Sequence, residues 1–88
     1  MDGNALDLIR QLDDVVEAYE VRTFQVVRRF RDGNQRPVTV SVYDAGSKSI
    51  VGRYRVEVRT EDGEKEASGN PDNSLEVALA IVHWGRLD

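Results

Sequence analysis

Cysteine is absent from this chain of 88 residues, and histidine, tryptophan and methionine each occur once. Without cysteine the chain has no disulfide framework, no thiolate metal ligand and no cysteine nucleophile, which argues against a small secreted scaffold. No apolar run approaches the roughly 20 residues that span a bilayer. The first 20 residues hold four aspartates where a signal peptide would carry positive charge followed by an apolar block. We therefore expect a cytoplasmic protein that is neither secreted nor inserted in a membrane.

No group of side chains indicates catalysis. His83 has no second histidine to work with, and it follows a strongly apolar stretch that is typical of a protein core. Asp13 and Asp14 are adjacent on a predicted helix, where neighbouring side chains point about 100° apart and cannot share one proton or metal ion. Residues 46–49 (Gly-Ser-Lys-Ser) lack the spacing of a phosphate-binding loop. We expect no enzyme activity, no metal and no cofactor.

Charge is distributed very unevenly along the chain, although the net charge is only −4. Residues 1–20 hold six acids and one base, residues 21–60 hold nine bases and three acids, and residues 61–88 hold seven acids and two bases. The three blocks therefore run −5, +6 and −5. Such segregation predicts binding through charge, unless the acidic flanks neutralise the basic middle within the monomer.

The most apolar stretch is residues 71–84, and its pattern predicts a helix. Asn73 can cap its first turn, Glu76 can complete a capping box and Gly85 can end it. A helix with apolar residues on almost every side must be covered by more than the sheet on which it lies. We expect the surplus to meet helix 1 or a second copy of the chain. The predicted homodimer interface consists of Val77, Ile81 and Trp84.

An amphipathic pattern follows Asn4, which can cap a first helix. The apolar line of this helix consists of Ala5, Ile9, Leu12, Val16 and Tyr19. Its opposite face is acidic and carries Asp7, Asp13, Asp14, Glu17 and Glu20. The narrow stripe predicts a helix on the outside of the domain, with the acidic face in solvent.

Residues 22–31 are rich in β-branched and aromatic side chains, which favours a strand. The helical pattern could also continue through Val26 and Phe30, so a long first helix is the alternative. A helix from Asn4 to Arg31 would be about 42 Å long, whereas a chain of this size has a radius of gyration of about 12 Å. We therefore predict a strand.

Alternation with period two marks two further strands. Their inward residues are Val38, Val40 and Val42 in the first and Tyr54, Val56 and Val58 in the second. Turn signals at residues 32–34 and 61–63 separate the strands, and residues 64–68 predict a short edge strand. We predict one α+β domain over residues 1–88, with a three- or four-stranded antiparallel meander and an N-terminal and a C-terminal helix packed on one face.

From Tyr54 onward the chain resembles the second half of a double-stranded RNA-binding domain. The matching residues are the strand Tyr54-Arg55-Val56-Glu57-Val58, the turn Gly63, the loop Gly69, and Ser74 and Ala78 at the start of the helix. The resemblance implies a similar topology. In that family two lysines after the serine reach RNA phosphates, which supply most of the affinity. Leu75 and Glu76 take their places here, which weakens the expectation of RNA binding.

The first candidate site is an arginine-rich outer face of the sheet. Its residues are Arg29, Arg31, Tyr43, Arg53, Arg55 and Arg59. Arginine offers forked donors that suit phosphate or carboxylate, and a nearby aromatic ring can stack on guanidinium. The alternative is that these arginines pair with glutamates across strands and form an ordinary solvated surface. We predict a non-catalytic interaction module with a protein partner, and only weak binding of nucleic acid because the net charge is negative.

The second candidate site has the opposite charge and is the acidic face of helix 1. A row of carboxylates can occupy a basic site on a partner by imitating a row of phosphates. Small acidic proteins without catalytic residues include phage-borne inhibitors of nucleic-acid-processing complexes such as CRISPR effectors. An inhibitor of that kind is the alternative function, and a solvated helix face is the simpler interpretation.

Overall fold

The computed structural model describes residues 5–47 and 52–88 and shows an antiparallel sheet of four strands in the order β1-β2-β3-β4. The strands are β1 (Glu20–Arg29), β2 (Gln35–Asp44), β3 (Tyr54–Thr60) and β4 (Glu66–Ser68). Helix α1 (Ala5–Arg10) precedes the sheet, and helix α2 (Leu75–Ala80) and a 3₁₀ helix (Trp84–Leu87) follow it. The predicted α+β class and the meander are confirmed. In the described residues no helix has the length and apolar character needed to cross a membrane.

The strand predicted over residues 22–31 is confirmed as β1, and the long first helix is wrong. A tight turn joins β1 to β2: the Phe30 N–H donates to the Asn34 carbonyl at 2.8 Å, and the Gly33 N–H donates to the Phe30 carbonyl at 2.9 Å. Gly33 has a φ of 87°, which a residue without a Cβ adopts at little cost. The Asp32 carboxylate accepts a hydrogen bond from the Asn34 N–H at 2.9 Å and closes the turn.

The core lies between one face of the sheet and the segment that follows β4. Alternate residues of β2 and β3 point toward it, as their period-two pattern predicts. Ala78, Val82 and Leu87 cover these strands from the other side. The buried apolar residues are Phe30, Val38, Val40, Val42, Val56, Val58, Ala67, Ala78, Val82 and Leu87. No residue of β1 belongs to this set, so the core spans three of the four strands.

Helix α1 is much shorter than its apolar pattern predicts. It ends at Arg10, whose guanidinium donates hydrogen bonds to the carbonyls of Ala18 (3.1 Å) and Ala45 and so holds the following segment folded back. Asp14 has a φ of 70°, a conformation that a continuous helix excludes. The helix has no buried residue and lies near Gly46, after β2, without joining the core. Asn4, its predicted cap, lies outside the described residues.

The helix predicted over residues 71–84 is also shorter. Ser74 is its N-cap in place of Asn73, because the Asn73 side chain accepts a hydrogen bond from the Arg53 N–H at 3.1 Å. The Ser74 hydroxyl accepts from the Val77 N–H at 3.2 Å. After Ala80 the chain turns away from the helix axis, and the 3₁₀ helix then brings Leu87 into the core.

The molecule is elongated, with extents of 47 × 24 × 22 Å. Its radius of gyration is 15.0 Å, against about 12 Å for a compact chain of this length. A sheet strand that lies outside the core is consistent with this elongated shape.

Candidate interaction surface

Strand β1 exposes apolar side chains on both of its faces. On the face that continues the core, Phe24 is 50% exposed and Val26 is 39% exposed. On the opposite face, Val21 is 48% exposed and Val27 is 69% exposed. All but one of the ten residues of this strand are exposed, and none is buried. A strand of this composition normally has at least one face covered, so β1 is the most conspicuous apolar surface of the described chain.

Among the described residues, the backbone of β1 is also open along one side, because β1 is an edge of the sheet. The hydrogen bond from Phe30 to Asn34 and the register of the β1–β2 ladder fix which residues bond inward. Hydrogen-bonded pairs recur at every second residue, so the even-numbered residues of β1 direct their N–H and C=O groups toward β2. The residues that direct these groups to the open side are Val21, Thr23, Gln25, Val27 and Arg29.

The other edge of the sheet is protected. Strand β4 has only three residues, two of them exposed and polar. The Ser68 carbonyl, on its outer side, accepts a hydrogen bond from the His83 N–H at 3.4 Å. The 3₁₀ helix packs beside β4 and covers Ala67. Short length, charge and coverage are the usual ways in which a sheet edge is kept from pairing with another chain, and β4 has all three.

The predicted arginine face is assembled only in part. Tyr43 and Arg55 lie directly opposite each other, with the guanidinium 4.3 Å from the ring centroid. Arg59 lies opposite Thr39 on the same face, and the β1–β2 register places Arg29 there too. Arg31 follows the end of β1, and Arg53 precedes the start of β3, so neither belongs to the ladder of that face.

Three of the predicted arginines lie on β3 or just before it, and each pairs with a neighbouring acid. Arg53 donates to the Asp44 carboxylate at 2.7 Å and 3.1 Å, and these bonds hold the pKa of Asp44 below its ordinary value. Arg55 pairs with Glu57 on the same strand. Arg59 pairs with Glu66 across to β4 at 3.1 Å. The outer face therefore carries mixed charge, and its predicted role in binding stays a prediction.

The residues of the predicted acidic ridge do not share a helix face, because α1 ends before most of them. Asp7 lies on α1, 4.0 Å from Arg10, while Asp13 and Asp14 lie in the turns after it. Glu17 accepts a hydrogen bond from the Tyr19 hydroxyl at 2.9 Å, which raises the pKa of Tyr19. Glu20 is the first residue of β1. The prediction of one continuous ridge on helix 1 is wrong.

The predicted dimer residues have mixed surroundings. Val77 and Ile81 are exposed on and just after α2. Trp84 is partly buried, and its indole N–H donates to the Leu79 carbonyl at 3.1 Å. This bond forms because the helix ends early and the indole folds back onto it. Only part of the predicted interface is therefore available as an apolar surface.

Two further features of the described residues concern metal ligands and surface grooves. These residues contain no group of three or more His, Cys, Asp or Glu side chains that could hold a metal ion. A shallow groove crosses the outer face between Tyr43 and Glu66, with His83 and Arg86 at one side. His83 itself is exposed.

The chain was compared with protein-family models, with curated proteins and with solved structures, and none of the three comparisons found a match. The likeness to double-stranded RNA-binding domains therefore has no support beyond the residues that suggested it.

The exposed strand β1 is the feature that sequence reasoning missed as a site. The sequence does contain a signal for this surface, because apolar residues occupy both odd and even positions of the strand. Val21 and Val27 lie on one face, and Phe24 and Val26 lie on the other. A strand that is apolar on both faces is usually interpreted as a central, buried strand. The meander places this one at the edge.

Proposed function

We propose that this protein is a non-catalytic protein interaction module that binds its partner along β1 by adding a strand to the sheet. The observation that carries this proposal is the combination of an unpaired edge with exposed apolar side chains on both faces of the same strand. In strand addition, main-chain hydrogen bonds supply affinity and the alternating side chains supply specificity.

The size of the exposed surface supports this proposal. Each of Val21, Phe24, Val26 and Val27 would bury side-chain area that solvent now reaches. Full burial of one such side chain is worth about 1.5–3 kcal/mol, and partial burial of several is enough to offset part of the cost of association. The outward N–H and C=O groups would exchange water for a partner strand at the same time.

A selection experiment tests the proposal without a known partner. The chain is immobilised at low density, so that copies do not meet, and a phage library of random ten-residue peptides is passed over it. We expect the selected peptides to carry apolar residues at both odd and even positions, because β1 exposes apolar side chains on both of its faces. Their affinity is then measured by fluorescence anisotropy with the chain in solution.

The decisive variant is Gln25→Pro, because the Gln25 N–H points to the open side and proline there leaves the β1–β2 ladder intact. The matched control is Ser68→Pro, which makes the same change at an outward position of β4. We expect peptide affinity to fall at least about tenfold in the first variant and to be unchanged in the second. A library that yields no binder, or binders indifferent to Gln25→Pro, would contradict the proposal.

A second candidate function uses the outer sheet face, and the contact between Arg55 and Tyr43 favours it. A guanidinium stacked on a ring keeps donors available to an acidic partner. Replacing Arg53, Arg55 and Arg59 together with Ser should then abolish binding to a polyanion such as heparin. Reversal of the charge at Asp13, Asp14 and Glu17 removes carboxylates that repel a polyanion, so it should not weaken that binding. Heparin binding that survives the triple arginine change would contradict the outer face as the site.

A further inference from the structure

We infer that the strand added to β1 is β1 of a second copy of this chain, antiparallel and centred on Phe24. This inference rests on the proposed function and names its partner. Two β1 strands related by a two-fold axis perpendicular to the sheet would form one continuous sheet of eight strands, twice the four of each copy.

The geometry of β1 limits the registers that such a pair can adopt. Residues directly opposite in an antiparallel ladder lie on the same face, so odd-numbered residues must pair with odd-numbered ones. The outward hydrogen-bonding groups belong to the odd-numbered residues, which meets the same condition. The two-fold axis must therefore pass midway between two copies of the same residue, which is then said to lie on the axis. Thr23, Phe24 and Gln25 are the central choices.

Charge selects among these three registers. With Phe24 on the axis, Glu20 of each copy lies opposite Arg28 of the other, which places opposite charges at both ends of the new ladder. With Gln25 on the axis, Arg22 lies opposite Arg28 and the like charges repel. With Thr23 on the axis, Glu20 lies opposite Val26 instead of an arginine, and the ladder is shorter.

The same register brings the exposed apolar side chains together. Phe24 meets Phe24 of the second copy across a non-hydrogen-bonded pair, the arrangement with the closest side chains. On the opposite face, Val21 lies beside Val27 of the second copy, and the two-fold axis repeats this contact. All three residues are exposed in the single chain.

Arg28 remains able to meet Glu20 although it already binds Asp88. It donates to the two Asp88 carboxylate oxygens at 3.0 Å and 3.3 Å through its terminal nitrogens. A guanidinium carries five N–H donors, so donors remain for a second carboxylate. Its side chain is 22% exposed, which leaves an approach from solvent.

A series of single cysteines tests the register, and the absence of native cysteine makes each one an unambiguous probe. Residues 23, 24, 25 and 26 are replaced one at a time. Opposite residues in a non-hydrogen-bonded pair have Cα atoms about 4.5 Å apart, within the range of a disulfide. We expect the Phe24→Cys chain to cross-link to itself fastest under mild oxidation. Faster cross-linking at any other position would overturn the register.

A charge exchange tests the pairing of Glu20 with Arg28. Glu20→Arg and Arg28→Glu should each weaken self-association by about tenfold in sedimentation equilibrium, because each places like charges at both ends. Mixing the two variants places opposite charges at both ends again and should restore association. Circular dichroism checks that each variant is folded, and the cysteine series is independent of the Arg28–Asp88 bond.

The controls separate this inference from the function on which it rests. The variant Val77→Ser/Ile81→Ser should associate like the original chain, whereas dimers lost in that variant alone would assign the interface to α2. A chain that stays monomeric at 100 µM (about 10⁻⁴ M) but binds selected peptides along β1 would overturn the inference and keep the function. A chain that does neither would overturn both.

Discussion

The two edges of the sheet differ in length, in exposed apolar side chains and in coverage by the rest of the chain. Strand β4 has three residues, is polar on its exposed positions and is covered by the segment that follows it. Strand β1 has ten residues and carries exposed valines and a phenylalanine. Proteins normally protect both edges, since an open apolar edge promotes aggregation. The proposed binding along β1 depends on this difference between the two edges.

The difference arises from where the chain goes next to each edge. After β4 the chain returns over the sheet, and α2 and the 3₁₀ helix contact β3 and β4. Before β1, helix α1 lies near Gly46 beyond the end of β2 and contributes no residue to the core. Among the described residues, coverage of the sheet therefore comes from the segment after β4, and it reaches three strands out of four.

The largest loss of stability should come from truncating a side chain of the segment that covers the β4 edge. Leu87 is 1% exposed, and Leu87→Ala should lower the free energy of unfolding by about 3 kcal/mol through lost burial and the cavity left behind. The same truncation on the open edge, Val27→Ala, should cost less than about 1 kcal/mol, because solvent already reaches that side chain. Urea unfolding followed by the fluorescence of Trp84 measures both.

These measurements belong at nanomolar concentration, where association along β1 does not add to the stability of the chain. Equal losses in the two variants would remove the distinction between a covered and an open edge.

A smaller loss of stability should come from breaking the bond between Arg28 of β1 and Asp88, which follows the 3₁₀ helix. The Asp88 carboxylate accepts hydrogen bonds from the Arg28 guanidinium and from the Arg31 N–H, and these hold its pKa below the ordinary value of 3.8. A carboxyl with a lowered pKa in the folded state stabilises the fold above its unfolded pKa, and this contribution is lost as the pH falls through the folded value. Asp88→Asn should lower the Tm at pH 7 and flatten its decline below about pH 4.

Glu61→Gln is the matched control, because Glu61 is an exposed carboxylate in the turn between β3 and β4. Thermal melts followed by circular dichroism between about pH 7 and pH 3 compare the two variants with the original chain. This range spans the ordinary pKa of an aspartate, about 4. If Asp88→Asn keeps the full acid sensitivity, Asp88 does not hold β1 to the 3₁₀ helix.

Much of the sheet could be predicted from the sequence, because burial on one face repeats every second residue in β2 and β3. The helices could not be predicted to the same degree. The pattern that suggests a long first helix continues past Arg10, but that helix ends through hydrogen bonds from Arg10 to Ala18 and Ala45. Contacts over 35 residues of sequence have no local signal.

The candidate site shows the same limit. Alternation predicts correctly that Tyr43 and Arg55 share the outer face with Arg59. It does not predict that Arg53 would bond Asp44, because that pair depends on the register of two strands. The exposure of β1 depends on strand order and on what covers each strand, and a pattern that is apolar on both faces indicates neither.

The smallest effect concerns the ion pair between Arg59 and Glu66, which joins β3 to the protected edge at 3.1 Å. The two side chains are 60% and 67% exposed, so water screens the attraction and the coupling should be about 0.5 kcal/mol or less. A double-mutant cycle with Arg59→Gln and Glu66→Gln measures it by urea unfolding. A coupling above about 1.5 kcal/mol would mean that charge holds β4 in place. A negligible coupling would mean that β4 is held in place by the packing of Ala67 and Leu87 in the core. Among the described residues, β1 contributes no side chain to that core.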